Sequence, residues 1–552
     1  MMDRMRRTRS RPGGAADPAV AAPAGDALAA FIGEIRHRPA AALWLCAVAA
    51  VSSLQPLVLG FYLDDWAVMV KDAGLLEPFG ADLWRNIVAL DPTRPVSVVF
   101  RWLTGSVFRD VPAFWHVALL AVSALIVWQI SGLLRTLPFG EAAVSRLQAL
   151  SLAALWAALP WAAPIRFWPT LLNVLCFLAL FLWMLGRLLR HWREGKGEVL
   201  MPFAVYLAVC LGYEAFYLQF VPILLLGIAE IRCCAAPRGA VFRSGAALAA
   251  AQALAGGWYL LTGRITVAQK PVVQDWVGLL RRNLKAGLPE MAASFGPLKW
   301  LAVAAFLLLA IMAGMLWVRS VATGRIAREK AEYSAWVAGA AAAGALLSVL
   351  VFSLGGRPLF GTGVEARGLL FVSFWSALAA ALLLAAALQQ AAGQTSLWWR
   401  RLTAAGTAAA AACLLGGFML RMRDWHEAAL LQRRILLSLP VAEMKNMEPG
   451  AAVLCIWPID IQGAPVFSSL WDINSAIQAW YPALADKKFY IYSRWGGALR
   501  WDGTKLHYDY APPVELPVPL LYLWRPLHGE FLKLDQPIEV RPDQSWSYAN
   551  RK

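Results

Sequence analysis

Long apolar segments recur along the chain to about residue 420 and constrain its fold more than any other feature. An α-helix needs roughly 20 apolar residues to cross the hydrocarbon layer of a bilayer, and about 17 suffice. The apolar segments lie near residues 41–60, 113–134, 147–163, 168–186, 199–212, 215–231, 244–262, 298–318, 335–354, 368–388 and 402–420. A cleavable leader would be confined to the amino terminus. The recurrence therefore predicts an all-α polytopic membrane protein with about eleven transmembrane helices.

Composition and charge agree with this prediction. The chain is 59% hydrophobic and 16% charged, whereas soluble domains have about 45–50% apolar and about 25% charged residues. The net charge of +16 comes from Lys and Arg in short loops between apolar segments, which is typical of topology signals and of contact with anionic lipids. We therefore expect membrane lipids, and no nucleic acid, among the partners. The seven cysteines form no disulfide framework and no metal-ligand spacing.

The segment VLMPFAVYLAVCLGYEAFYLQFVPILLLGIAEI, residues 199–231, decides the topology. It fits either one long tilted helix or two short helices that turn at Gly212, Tyr213 and Glu214. With two helices, every short basic loop falls on the same side as the Arg-rich amino terminus, as cytoplasmic loops do. Those loops are residues 187–196, 231–243, 319–330 and 398–401. We therefore predict two helices here, a cytoplasmic amino terminus, and a carboxyl-terminal part on the opposite face, which is periplasmic if the membrane is the inner membrane of a Gram-negative bacterium.

Three regions follow from this topology. Residues 1–38 form a cytoplasmic amino terminus that is largely disordered because Arg, Ala, Gly and Pro dominate its first 28 residues. Residues 39–420 form the transmembrane domain, with long outward loops at 61–112 and 263–297. Within the first loop, residues 75–90 have helical apolar spacing and are predicted to lie along the membrane surface.

Residues 421–552 differ in composition from the transmembrane part and predict a small α/β or β-rich extracytoplasmic domain. Its start has the apolar spacing of a helix leaving the membrane, and AAVLCIW, KFYIYSRW and LLYLWRP read as strands. LRWDGTKLHYDY places an Asp502-Gly503 turn between aromatic-rich arms, which indicates a hairpin.

Two adjacent carboxylates, Asp64 and Asp65, follow the first apolar segment in FYLDDWAVM. They lie about one turn beyond the predicted span, at the membrane boundary. Apolar and aromatic neighbours lower the local dielectric, which can poise a carboxylate as a base. These neighbours are Phe61, Tyr62, Leu63 and Trp66. The alternative is the solvated start of a loop with Trp66 as an interfacial aromatic residue.

The same loop contains Arg94, which precedes Pro95 in DPTRPVSVVFRWL. A residue before proline is biased away from helix, so the guanidinium is expected to be free to point toward the carboxylates or a phosphate. His116 follows just inside the second span. An ionisable group at the membrane boundary is a functional candidate, and the alternative for His116 is packing.

These motifs, YLDDW, then TRPVS, then FWHVALL at the start of the second span, together resemble the GT-C superfamily of membrane glycosyltransferases. The pattern is similar to protein O-mannosyltransferases, to bacterial O-antigen-modifying glucosyltransferases and to the aminoarabinose transferases of lipid A. The resemblance covers residues 60–120 and, more loosely, the arrangement of spans to residue 420.

The resemblance implies an inverting transfer of a sugar from a polyprenyl-phosphate donor to a glycan, lipid or protein acceptor on the outer face of the cytoplasmic membrane. Asp64 or Asp65 matches the base that accepts the proton of the acceptor hydroxyl, and Arg94 matches the loop arginine. Tyr213-Glu214 departs from the family, since several relatives carry a basic residue at this turn. Tyr62, Trp66, His116, Tyr213 and Glu214 remain candidates for substrate binding.

Cations on the outward side are candidate ligands of the donor phosphate, because departure of a phosphate needs positive charge nearby. After Arg94, these are Arg166, Arg264, Lys270, Arg357 and Arg367. Arg281, Arg282 and Lys285 are expected to be solvated residues of a long loop. We expect no cofactor, with Mg²⁺ or Mn²⁺ beside the acidic pair as the alternative.

Two other classes remain as alternatives. A lipid or glycan flippase would have charges or broken helices at the middle of the membrane and internal symmetry, and the segments contain almost no charge. A scaffold without catalysis would tolerate replacement of Asp64 and Arg94. If either aspartate is catalytic, Asp64→Asn and Asp65→Asn are expected to leave folding intact, because the sequence indicates no buried partner for either.

Overall fold

The transmembrane part of the computed structural model is a helical bundle, and a strand region follows it. The structure describes residues 33–62, 64–67, 91–137, 145–196, 198–266, 276–322, 328–355, 357, 359, 364–392, 397–458, 460–467, 470–491, 499–501, 505–508, 514–517, 520–536, 538–540 and 546–548. The bundle helices are α1 Pro39–Ser52, α2 Gln55–Val58, α3 Asp64–Ala67, α4 Pro95–Phe108, α5 Pro112–Thr136, α6 Arg146–Ala158, α7 Ala163–Phe167, α8 Leu172–Arg193, α9 Leu200–Gly212, α10 Phe220–Cys233, α11 Arg238–Thr266, α12 Trp276–Ala293, α13 Lys299–Ala322, α14 Arg328–Leu354, α15 Leu370–Ala392 and α16 Leu397–Leu437. The predicted surface helix at residues 75–90 lies outside the described residues.

Each predicted apolar segment is helical, but the prediction of about eleven spans is not confirmed. In the described part of the chain, six helices are long and apolar enough to cross a membrane, and up to eight if two bent pairs each count as one span. The six are Pro39–Val58, Pro112–Thr136, Pro169–Arg193, Glu214–Cys233, Glu332–Leu354 and Arg401–Leu437. The bent pairs are Arg146–Ala158 with Pro160–Phe167 and Trp276–Ala293 with Gly296–Met312. Helix α9 has 13 residues, so at 1.5 Å per residue it covers only about 20 Å of a hydrocarbon layer of about 30 Å.

The prediction of two helices in residues 199–231 is confirmed. Helix α9 ends at Gly212, and a short 3₁₀ turn separates it from α10. A Cβ at Gly212 would lie 2.3 Å from the Phe177 ring, so glycine allows α9 to end directly against α8. The Tyr206 hydroxyl donates to the Phe216 carbonyl at 2.8 Å and accepts from the Phe220 amide at 3.0 Å. The turn is therefore held by a side chain of the preceding helix.

Polar contacts gather at the two ends of the bundle. At one end, called the opposite end below, Arg193 of α8 donates to both carboxylate oxygens of Glu230 at 2.6 and 2.8 Å. Tyr333 of α14 donates to the same carboxylate at 2.7 Å, and Arg193 also reaches the Thr136 carbonyl. A buried carboxylate needs such partners, and here they join α5, α8, α10 and α14. The other end, where α8 begins, is called the site end.

The predicted strands of the carboxyl-terminal region are present. It consists of α17 Val441–Lys445, β1 Ala452–Cys455, β2 Asp460–Ile461, β3 Ala464–Pro465, α18 Leu470–Trp480, β4 Lys488–Ile491, β5 Leu499–Trp501, β6 Lys505–Tyr508, β7 Val514–Pro517, β8 Leu521–Arg525, β9 Glu530–Lys533, β10 Ile538–Val540 and β11 Trp546–Tyr548. The main sheet has the order β4-β1-β8-β9, with β1 parallel to β4 and β8, and β8 antiparallel to β9. Strands β5 and β6 form the antiparallel arms expected around Asp502-Gly503, which itself lies outside the described residues.

The sheet buries both faces, but against different partners. Side chains alternate between the faces of a strand, and Val453, Cys455 and Trp524 belong to the same hydrophobic core as the bundle. Leu454 and Leu523 point into a smaller, separate core on the far face. The region is tied to the end of α16, because Gln432 donates to the Val466 carbonyl and the Tyr481 hydroxyl donates to the Leu436 carbonyl at 3.0 Å.

Candidate functional site

The site end is organised around the first turn of α8. Three prolines in LPWAAPIRFWPTLLN, residues 159–173, interrupt the helical pattern, because proline lacks the amide hydrogen that an interior helical position donates. The chain forms a 3₁₀ turn at Pro160–Ala162, then α7, then a 3₁₀ turn at Pro169–Leu171 before α8 starts. These breaks leave the polar side chains of Thr170 and Asn173 at the amino end of a helix, where backbone amides lack helical partners.

Asp65 binds this amino end. Its Oδ1 accepts from the Thr170 amide at 2.7 Å and from the Thr170 hydroxyl, and its Oδ2 accepts from the Tyr62 amide at 2.7 Å. Asp65 is buried, and a carboxylate near a helix amino end is favoured by the helix dipole. The expectation that neither aspartate has a buried partner is therefore wrong for Asp65. Asp64 is the first residue of α3, and its side chain lies outside the described part of the structure.

Arg94 and Glu214, which the sequence nominated separately, form an ion pair. Arg94 immediately precedes α4 in a non-helical conformation, as expected before Pro95. Its Nη2 lies 2.6 Å from Glu214 Oε1, and its guanidinium carbon lies 5.1 Å from the centre of the Tyr213 ring. Burial disfavours the charge, but the carboxylates of Glu214 and Asp91 outweigh burial and raise the pKa of Arg94 above its ordinary value. Arg94 is therefore a permanent cation, with 34% of its side chain exposed.

The elements that carry Asp65 and Arg94 meet on neighbouring turns of one helix. Asn173 donates to the Ser97 hydroxyl of α4, and Asn173 follows Thr170 by three residues, about one helical turn. Trp258 of α11 donates to the Pro92 carbonyl at 2.9 Å and fixes the segment before Arg94. The first turn of α8 thus positions both the acidic turn and the arginine loop.

Arg367 is a further charged side chain next to the start of α8. Its guanidinium carbon lies 5.6 Å from the centre of the Trp168 ring, and its side chain is half-buried. We call Asp65, Arg94, Glu214 and Arg367 the site cluster. Its members come from four separate parts of the sequence. Asp65 and Arg367 contact Thr170 and Trp168, and the Arg94–Glu214 pair is linked to the same helix through Ser97 of α4 and Asn173.

Arg166 and Arg357 are not in contact with the site cluster. Arg166 is only 1% exposed, donates to the Ala157 carbonyl and to the Ser52 hydroxyl, and has its guanidinium 4.8 Å from the Phe418 ring centre. It is buried in the turn between α6 and α8, where it braces the bend between α6 and α7. The side chain of Arg357 is exposed. Lys270 and the side chain of Arg264 lie outside the described residues.

The aromatic and histidine candidates near the acidic pair are buried. Tyr62 donates to the Trp425 carbonyl at 2.8 Å, and burial raises the pKa of its hydroxyl above the ordinary value. His116 Nε2 lies 3.0 Å from the Gly60 carbonyl. Trp66 is buried with its ring edge-on to Phe61. Tyr62, Trp66 and His116 thus hold the acidic turn in place and are not accessible to a substrate in this structure.

A largely apolar groove lies beside the Tyr62 anchor. It has a volume of about 650 Å³ and is lined by Val58, Leu298, Gly416, Met419, Arg423 and His426, among others. His426 Nδ1 contacts the Val58 carbonyl, so the groove borders the same chain segment that leads to Asp65. Its composition suits a hydrocarbon chain, with Arg423 and His426 supplying polar groups.

Several residues of the site were not found from the sequence. Thr170, Asn173 and Ser97 are single polar residues within apolar segments, and Trp168 resembles any interfacial aromatic residue. The available signal was the proline-broken run before α8, but nothing in it identifies partners about a hundred positions away. Within the described residues, no three His, Cys, Asp or Glu side chains are grouped to hold a metal ion.

Comparison with models of known protein families and with curated proteins finds no match for this chain. The resemblance to GT-C glycosyltransferases therefore depends on the sequence motifs.

Proposed function

We propose that the protein is an inverting glycosyltransferase that moves a sugar from a polyprenyl-phosphate donor to an acceptor on the outer face of the cytoplasmic membrane. The observation that carries the proposal is the site cluster, in which the acidic turn, the segment that holds Arg94 and the side chain of Arg367 are each joined to residues 168–173. Deprotonation of a hydroxyl requires a base such as a carboxylate, and departure of a phosphate requires fixed cations; the segments joined here carry both kinds of group.

Asp64 is the base in this proposal. The oxygens of Asp65 already accept hydrogen bonds from Tyr62 and Thr170, so Asp65 is better suited to positioning α3. Asp64 takes the proton of the acceptor hydroxyl, the oxygen attacks the anomeric carbon, and the bond from that carbon to the phosphate oxygen breaks. The lipid phosphate leaves with the bonding electrons, and the configuration at the anomeric carbon is inverted.

Arg94 and Arg367 are the proposed ligands of the donor phosphate. Arg94 is charged at any physiological pH, as arginine is in general, and Glu214 and Asp91 stabilise the guanidinium further. The planar fork of the guanidinium can donate two hydrogen bonds to one phosphate. Glu214 then orients Arg94 rather than contacting the sugar. The apolar groove at Val58 and Gly416 is the proposed seat of the prenyl chain.

A lipid transporter is the second candidate, and Arg166 is the observation that favours it. This guanidinium is buried in the bundle and has no carboxylate partner among the described residues. Ionisable groups inside membrane proteins are rare and frequently mark a transport path.

The test uses the purified full-length protein in lipid nanodiscs, a panel of polyprenyl-phosphate hexoses with radiolabelled sugar, and membrane extract as the acceptor source. Asp64→Asn is expected to reduce transfer at least 100-fold, in line with loss of a general base, without changing thermal stability. Asp110→Asn is the matched control, because Asp110 is an exposed aspartate of the same loop, and it should retain activity. Wild-type transfer by Asp64→Asn would exclude the assigned base. Lipid translocation without sugar transfer from any donor would favour the transporter.

A further inference from the structure

Helix α12 runs across the site end of the bundle instead of along it. The axis of α12 makes an angle of 105° with that of the next helical segment, Gly296–Met312. This segment consists of a short 3₁₀ turn and the first part of α13. Asn283 of α12 donates to the Ser353 hydroxyl at 2.9 Å and to the Arg357 carbonyl at 3.1 Å, and accepts from the Leu359 amide at 3.0 Å. These bonds fix α12 on the end of α14.

Three different faces follow one another around α12. Leu279 and Asn283 are buried against the bundle. Val277, Leu284 and Leu288, spaced by seven and four residues, form an apolar face and are 58%, 48% and 76% exposed. The basic face is formed by the exposed side chains of Arg281, Arg282 and Lys285. At 100° per residue, the apolar face is centred about 90° from the basic face, and each of the two lies about 130–140° from the buried face.

Neither exposed face has a partner that would explain it among the residues that the structure describes. Arg281, Arg282 and Lys285 form no ion pair in the described part of the chain. Three exposed aliphatic side chains on one helix face are unfavourable in water. Three cations are unfavourable in hydrocarbon. The boundary between hydrocarbon and headgroups satisfies both faces at once, and it is the location of amphipathic interfacial helices.

We propose that α12 lies in the headgroup layer and binds anionic phospholipids through Arg281, Arg282 and Lys285, while Val277, Leu284 and Leu288 enter the acyl-chain region. Charge complementarity selects this occupant, because basic side chains at a membrane surface attract acidic lipids. The proposal goes beyond the expectation that these three cations are solvated residues of a long loop. The proposal does not depend on glycosyl transfer, since α12 contains no member of the site cluster.

The test measures hydrogen–deuterium exchange of peptides from α12 in the full-length protein, reconstituted in nanodiscs of phosphatidylcholine or of phosphatidylglycerol. Wild-type α12 is expected to exchange roughly tenfold more slowly in phosphatidylglycerol, from the combined attraction of three cations. The variant R281Q/R282Q/K285Q should lose this difference and keep its exchange in phosphatidylcholine. The variant V277S/L284S/L288S should exchange faster in both lipids, because its apolar face no longer inserts.

The matched control removes three exposed cations at the opposite end, R190Q/R238Q/R243Q, and should leave the lipid dependence of α12 unchanged. Loss of that dependence in the control would mean a general effect of net charge and would overturn the proposal. Equal exchange of wild-type α12 in the two lipids would overturn it as well. Slower exchange on adding inorganic phosphate to phosphatidylcholine discs would identify a site for the free anion and not for a lipid.

Discussion

Asp65 positions the acidic turn through bonds that span the sequence. It joins Tyr62, three residues before it, to Thr170, 105 residues after it. Both of its oxygens accept hydrogen bonds, and Asp65 and Tyr62 are buried away from water. An amide at this position would turn one acceptor into a donor. The side chain next to the proposed base therefore has a structural role that can be measured separately from activity.

Asp65→Asn is predicted to destabilise the protein by about 2 kcal/mol, since a buried donor left without an acceptor costs roughly 1–3 kcal/mol. The measurement is unfolding of the purified protein in detergent by denaturant, followed by tryptophan fluorescence. Thr170→Val removes only the hydroxyl donor, so its loss should be smaller, and the double variant should be less than additive because the two side chains share one contact. Additive losses would contradict a direct Asp65–Thr170 interaction.

Sequence reasoning identified single residues better than their partners. Arg94 was found because Pro95 restricts its backbone, and the non-helical conformation agrees. Its partner Glu214 is 120 positions away, and no local pattern connects them. Arg166 was a candidate phosphate ligand because it lies in a short turn between apolar segments, and the sequence does not show that its guanidinium is buried there.

Close packing between helices depends on particular glycines. Gly344 of α14 faces Trp375 of α15, and a Cβ there would lie 2.1 Å from the indole nitrogen. That nitrogen donates to Gln219 at 2.9 Å, and Gln219 donates to the Gly344 carbonyl at 3.3 Å. The glycine thus lets α14 and α15 close around a buried polar side chain that precedes α10.

Gly344→Ala is predicted to destabilise the protein by about 1–3 kcal/mol, because the indole must move and an overpacked core is strained. Gly339→Ala is the control on the same helix, since nothing lies within 4 Å of a Cβ at Gly339. It should be neutral or stabilising by up to about 1 kcal/mol, the helix preference of alanine over glycine. Both are measured by thermal unfolding, and equal effects of the two substitutions would contradict this packing.

The helical segments were predictable because apolar runs indicate helices and basic stretches indicate the loops between them. The number of spans was not, because length in the membrane depends on bends that sequence does not reveal. The chain bends by 61° between α6 and the segment Pro160–Phe167. Helix α12 runs across the end of the bundle, and the apolar run that follows it in the sequence gives no sign of this direction. Periodicity identifies helices, whereas tertiary contacts set their direction.

The bundle and the carboxyl-terminal region share one hydrophobic core. Helix α18 packs on α3, and α16 continues without a break from the bundle to the sheet. The strands at residues 452–455 and 521–525 were predictable from their short apolar runs, but their docking beside the acidic turn was not. Contacts between α3 and α18 join residues about four hundred positions apart, and neither segment has a local feature that indicates the other.

Because this core is shared, a substitution that destabilises α18 is predicted to destabilise the acidic turn as well. Ile477 of α18 is buried in the core that continues into the bundle, whereas Leu523 of β8 is buried in the separate core on the far face of the sheet. Replacing either by alanine should cost about 2–5 kcal/mol locally. Ile477→Ala is expected to accelerate hydrogen–deuterium exchange in α3, because α18 supports it, and Leu523→Ala is expected to accelerate exchange only in the strands. Equal exchange of α3 in the two variants would mean that the carboxyl-terminal region covers the acidic turn without supporting it.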